Sequence, residues 1–153
     1  MEQRKQALVV HDDPDVIDMV RQALQQKGYQ ILTARNGLEG YRLFTSNLVS
    51  LVILDIMMPG RDGYSLCRDL RAISSVPIIL VTDRQNENDV RRGLDLGADD
   101  VMRVPFDTPQ FLVSLQGVLS LTAERQEYNF QSREVRIGIL RHITVLAKSN
   151  GAD

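Results

Sequence analysis

Short apolar runs alternate with stretches of helical period along most of the chain. Ala7–Val10 is apolar and is followed by His11, Asp12, Asp13 and Pro14. Val16, Ile17, Val20 and Leu24 then recur at helical spacing, and Gly28 ends that helix. Gln30–Ala34 reads as a second strand, and the Asn36-Gly37 turn leads to a second helix marked by Leu38, Tyr41, Leu43 and Phe44. Leu48–Asp55 carries a third strand, and Tyr64, Leu66, Cys67 and Leu70 mark a third helix. Val76–Thr82 is a fourth strand, with Pro77 tolerated near its start. Val90, Leu94 and Leu96 mark a fourth helix ended by Gly97. Asp100–Val104 is a fifth strand, and Thr108 to about Ala123 is a fifth helix with Pro109 in its first turn.

Five successive strand-helix units predict an α/β fold, a five-stranded parallel sheet with helices on both faces in three layers. Right-handed crossovers leave few topologies open. The 153 residues suffice for one domain and a short appendage. A net charge of −2 gives no basic surface in bulk for nucleic acid. Cys67 is the single cysteine, so no intrachain disulfide forms and a reducing compartment is expected. No apolar run reaches the roughly 18 residues of a membrane span, and the first six residues do not resemble a signal peptide. The expected location is cytoplasmic.

Asp55 closes an apolar strand and opens the turn Ile56-Met57-Met58-Pro59-Gly60-Arg61-Asp62-Gly63. That places a carboxylate at the carboxyl edge of the sheet, where open α/β sheets bind ligands. This loop, together with His11-Asp12-Asp13-Pro14, Pro77–Thr82 and the stretch Gly97-Ala98-Asp99-Asp100 with Pro105-Phe106-Asp107, resembles the receiver domain of bacterial response regulators. The resemblance covers about residues 4–122. It implies a flavodoxin-like fold and a phospho-acceptor signalling domain, not an enzyme beyond self-catalysed phosphotransfer. It further implies Mg²⁺ as cofactor and a sensor histidine kinase as partner. Residue by residue, Asp55 matches the phospho-acceptor, Asp12 a metal-binding acid and the Met57 carbonyl a metal oxygen. Thr82 matches the hydroxyl that reports phosphorylation, and Asp13 stands just outside the acidic pair as a further metal candidate. Asp12 also qualifies as an N-cap before Pro14.

Four positions depart from the family pattern. His11 stands where the first of two acids is usual, and neutral imidazole is a poor Mg²⁺ ligand. Pairing Asp12 with Asp13 instead would shift every strand side chain to the opposite face. His11 is read as a hydrogen-bonded strand-end residue. Val104 stands where the family carries a lysine before the proline, and neighbouring Arg103 points to the other face of a regular strand. Val101 replaces a switch aromatic, and Asp83 brings a carboxylate to the entrance. The leading reading is phosphoryl relay through Asp55, switching the face formed by the fourth helix, fifth strand and fifth helix. The alternative is a degenerate receiver that acts as a phosphorylation-independent interaction module. A flavodoxin-like small-ligand protein finds no Gly-rich phosphate loop to support it.

The fifth helix, residues 108–123, carries no charged side chain. Phe111, Leu112, Leu115, Val118 and Leu119 form its core stripe, leaving Val113 and Leu121 outside it. A surface helix normally carries charge there, so a homodimer or partner protein is expected on this face. Residues 123–153 are expected to form a linker plus a C-terminal helix from about Arg136 to Lys148, or the truncated start of an output region. Nucleic acid is expected to be met only through a missing output domain.

Overall fold

The structure is a computed structural model that describes residues 5–58, 62–83, 86–125 and 127. The chain divides into two compact units, residues 1–119 and 120–153. The expected linker and C-terminal helix, and Pro59-Gly60-Arg61 of the Asp55 loop, lie outside the described residues.

Unit 1 is built in the order β1 (Lys5–Val10), α1 (Pro14–Gln26), β2 (Tyr29–Ala34), α2 (Gly37–Ser46), β3 (Val49–Asp55), α3 (Gly63–Ile73), β4 (Ile78–Thr82), α4 (Glu87–Asp95) and β5 (Asp100–Arg103). A last helix, α5, covers residues 108–125 and crosses the division between the units. All strands pair in parallel in the order β2-β1-β3-β4-β5. The flavodoxin-like α/β fold expected from the sequence is therefore present. The chain runs from β1 to β2 in one direction and to β3 in the other, so the carboxyl ends of β1 and β3 border the crevice where such sheets bind ligands.

Residue parity sorts the two cores. Ala7, Val9, Leu51, Ile53, Ile79 and Val81 face α1 and α5, where Val20, Leu24, Phe111 and Leu115 are buried. Leu8, Val10, Val52, Leu54, Ile78 and Leu80 face the other side, against Leu66, Cys67 and Leu70 of α3. Strands buried on both faces read as continuous apolar runs, which is why β3 and β4 lack polar alternation. Cys67 is fully buried, and burial pushes its thiol up to about 11, as suits a structural cysteine.

Short Asx caps open the helices at the carboxyl edge. The side chains of Asn36, Asp62 and Asn86 accept from the backbone N–H groups of Glu39, Ser65 and Asn88. Asp107 and Gln110 cap α5 reciprocally, each side chain accepting from the other's backbone N–H at 2.8 and 2.9 Å. Strand ends differ slightly from the sequence expectation. β4 starts at Ile78, because Pro77 has no N–H to give the ladder, although its carbonyl accepts from Val52 N–H at 2.9 Å. β5 stops at Arg103, where the chain turns into a cis Val104–Pro105 peptide.

Arg71 of α3 ties the opposite edge together. Its guanidinium donates to the carbonyls of Gly97 (2.7 and 2.9 Å) and Val76 (2.7 Å) and to Asp99 Oδ2 (3.1 Å). Asp99 Oδ2 also accepts from Ile78 N–H at 2.9 Å, so one clamp joins α3, β4 and the α4–β5 turn. Gly97 closes that turn at φ +111°, a conformation that side chains disfavour. Arg71→Met would take the guanidinium from Asp99 and from the carbonyls of Ser74, Val76 and Gly97, at a cost of roughly 3 kcal/mol. Urea unfolding measures it, and a loss below about 1 kcal/mol would contradict the clamp.

Candidate functional site

Strand register builds the site. Val10 of β1 lies opposite Leu54 of β3, so the next residues, His11 and Asp55, meet at the carboxyl edge. This is the register with His11 and Asp12 after the strand; the pairing of Asp12 with Asp13 is not adopted. Both His11 and Asp55 continue the parity that faces α1 and α5. His11 is 6% exposed and Asp55 8% exposed. His11 Nε2 lies 3.6 Å from Asp55 Oδ2, and His11 Nδ1 lies 3.7 Å from Asp12 Oδ1. Met57 N–H donates to Asp55 Oδ1 at 3.1 Å, so the turn after β3 holds the carboxylate in place.

Gly63 closes that turn. Its N–H donates to Ile56 O at 2.9 Å, and a Cβ there would overlap the Asp55 carbonyl and sit 2.7 Å from Ile56 Cα. The need for glycine comes from this close approach and not from its torsion angles.

Asp55 borders a cavity of about 310 Å³, lined also by His11, Asp12, Met57, Asp83 and Val104. Burial raises the Asp55 pKa above the ordinary carboxylate range; His11 and the Met57 N–H pull it down, while Asp12 and Asp83 push it up. Thr82, at the end of β4, is fully buried and follows Val81, the strand partner of Asp55. The Thr82 carbonyl accepts from Val104 N–H at 2.8 Å, which seats Val104 beside the cavity. Arg103 pairs with Thr82 in the ladder, is exposed, and does not line the cavity. Strand alternation thus puts the valine, not the arginine, next to Asp55. Val101 lies half-buried on the face of α2, α3 and α4.

Asp12, Asp55 and His11 bring ligand atoms within 4.8 Å of one another. Asp13 stands outside this cluster. Its carboxylate accepts from Asp15 N–H at 2.9 Å as the N-cap of α1, with Pro14 in the first turn. The helix cap therefore falls on Asp13 and not on Asp12, correcting the sequence assignment, and Asp12 is left facing the crevice. One feature was missed from sequence: Asp13 N–H donates to His11 Nδ1 at 3.0 Å. Only the local turn reveals it.

The carboxylates of Asp12 and Asp55 offer hard oxygens of the kind Mg²⁺ takes, so this part of the donor set fits that ion. His11 adds nitrogen, a weaker match.

The family model of the response regulator receiver domain matches residues 7–116, and the chain belongs to that family. It is 38% identical over 112 residues to the probable transcriptional regulator ycf27 of Cyanidium caldarium, covering 73% of this chain and 45% of that protein. It is 36% identical over 119 residues to the transcriptional regulatory protein CseB of Streptomyces avermitilis, covering 78% and 51%. The chain thus spans about half the length of these curated relatives. Its structure matches the BeF3-activated N-terminal receiver domain of Klebsiella pneumoniae RstA at TM-score 0.70 and 30% identity, covering 75% of this chain and 98% of that one.

The raised Asp55 pKa has a sign that can be tested. The folded state holds the proton more tightly than the unfolded chain, so the contribution to stability is full below the unfolded value near about 4 and is lost as pH rises through the folded value. Asp55→Asn removes the buried charge and keeps an acceptor for Met57 N–H. In chelator, it is expected to raise Tm by a few degrees at pH 7, the gain shrinking toward zero as pH falls below about 4. Thermal melts across pH check this, and a gain independent of pH would contradict the assignment.

Proposed function

We propose that this receiver domain accepts a phosphoryl group on Asp55 from the phosphohistidine of a sensor histidine kinase. The carrying observation is the Asp55 carboxylate, held in a cavity at the carboxyl edge with Asp12 beside it. An Asp55 Oδ lone pair would form the new O–P bond as the P–N bond to the kinase imidazole breaks, and the electron pair would return to that nitrogen. Mg²⁺, when bound by Asp12, Asp55 and the Met57 carbonyl, would offset charge on the transferring oxygens. Thr82 would turn its hydroxyl toward the new phosphoryl group and so bias the β4–α4 loop between two states. That shift would reach the α4–β5–α5 face, where Val113 is 73% exposed within the charge-free stretch 108–123 of α5 and offers a surface for a homodimer or partner.

The two relatives named above are described as transcriptional regulators, and this chain spans half their length. We place the domain in a cytoplasmic regulator in which nucleic acid is met through a separate output domain. No helix among the described residues is long and apolar enough to cross a membrane.

Incubation with acetyl phosphate and Mg²⁺, followed by intact mass, is expected to show one added phosphoryl group that Asp55→Asn abolishes. No gain by the folded chain would favour the phosphorylation-independent interaction module. Val104 sits where a cation would complete the cavity. Val104→Lys is expected to accelerate phosphoryl gain about 10-fold or more, because a fixed cation stabilises the developing charge. An unchanged rate would mean that another group already fills that role.

A further inference from the structure

We propose that His11 serves this site as a neutral hydrogen-bond donor to the phosphoryl oxygens through Nε2–H, and not as a metal ligand. The inference rests on the reading of Asp55 as phospho-acceptor. Three observations carry it.

Asp13 N–H donates to His11 Nδ1 at 3.0 Å, so Nδ1 presents its lone pair and the ring proton sits on Nε2. The donor is itself fixed, because Asp13 caps α1 and precedes Pro14. Nε2 is then aimed at Asp55 Oδ2, 3.6 Å away. That separation is longer than a hydrogen bond, so the proton makes no tight bond to the bare carboxylate and can meet an oxygen added there. Finally, among the described residues lining the cavity, His11 carries the only side-chain N–H. Asp12, Asp13, Asp55 and Asp83 bring carboxylates to that cavity, and Val104 brings methyl groups.

Metal ligation by either ring nitrogen conflicts with this arrangement. Nδ1 is engaged by Asp13 N–H. Ligation through Nε2 would require the proton to move to Nδ1, where it would face that same N–H. A transferring phosphoryl group gathers charge on its oxygens and needs donors or cations around them. With valine at position 104, a buried ring held in one tautomer supplies a donor from the β1 side of the cavity instead. The Asp13 bond removes the need to orient the ring during transfer.

The test follows the rate of phosphoryl gain from acetyl phosphate in the whole chain, across acetyl phosphate and Mg²⁺ concentrations. His11→Ala is expected to lower the maximal rate about 100- to 1,000-fold, since loss of one such donor costs that order, while half-saturating Mg²⁺ stays the same. His11→Gln, whose amide N–H reaches a similar point, should recover most of the rate. A rate unchanged in His11→Ala would overturn the proposal. So would a rise in half-saturating Mg²⁺ with the maximal rate kept, which would mark a metal ligand. Ring ¹⁵N shifts of the unmodified chain should show the Nε2–H tautomer, and an Nδ1–H ring would overturn the proposal even if the variants fail to fold. No phosphoryl gain in the unmodified chain would instead remove the reading of Asp55 and this inference with it.

Discussion

Asp55 gives up most of its contact with water at the end of β3, and the surrounding structure is arranged around that loss. A buried carboxylate needs partners, and the site supplies them from fixed backbone and one ring. Met57 N–H holds one oxygen, and His11 lies across from the other. Two further carboxylates, Asp12 and Asp83, act in the opposite sense and keep the Asp55 charge costly. Such a group favours whatever neutralises or shares its charge, which is the condition a phosphoryl acceptor with a cation nearby must meet.

The sheet makes the arrangement possible. Reversal of strand order between β1 and β3 opens a crevice at their carboxyl ends, and the parallel register brings His11 and Asp55 into it together. Asx caps, Asp13, Asn36, Asp62 and Asn86, start the helices at that edge. At the other side, Arg71 and Asp99 pin α3 to β4 and the α4–β5 turn.

Much of this was legible in the amino-acid sequence. Doubly buried strands read as apolar runs, and helical spacing marked Val16–Leu24 and Leu66–Leu70, so a parallel sheet in one of a few topologies was expected, and the strand order came from the structure. Strand alternation also placed Val104, not Arg103, beside Asp55, as the exposed arginine bears out. Local turn geometry was harder to read. Three consecutive residues, His11, Asp12 and Asp13, offered several ways to divide capping, metal binding and hydrogen bonding. Their division depends on backbone direction after β1, which composition does not encode: Asp13 caps α1 while its N–H orients His11. Gly63 was likewise unremarkable until the Asp55 carbonyl was seen against it. β4 begins two residues later than expected and β5 ends one residue earlier, where Pro77 and Pro105 intervene.

The proposed acceptance of a phosphoryl group in the Asp55 cavity can be tested without a kinase. The most direct measurement is titration of the whole chain with beryllium fluoride and Mg²⁺, followed by backbone amide NMR. This account predicts saturable shifts at His11, Asp55, Met57, Thr82 and Val104 that are lost in Asp55→Asn. An unchanged spectrum at saturating fluoride and metal, from a folded chain, would contradict it.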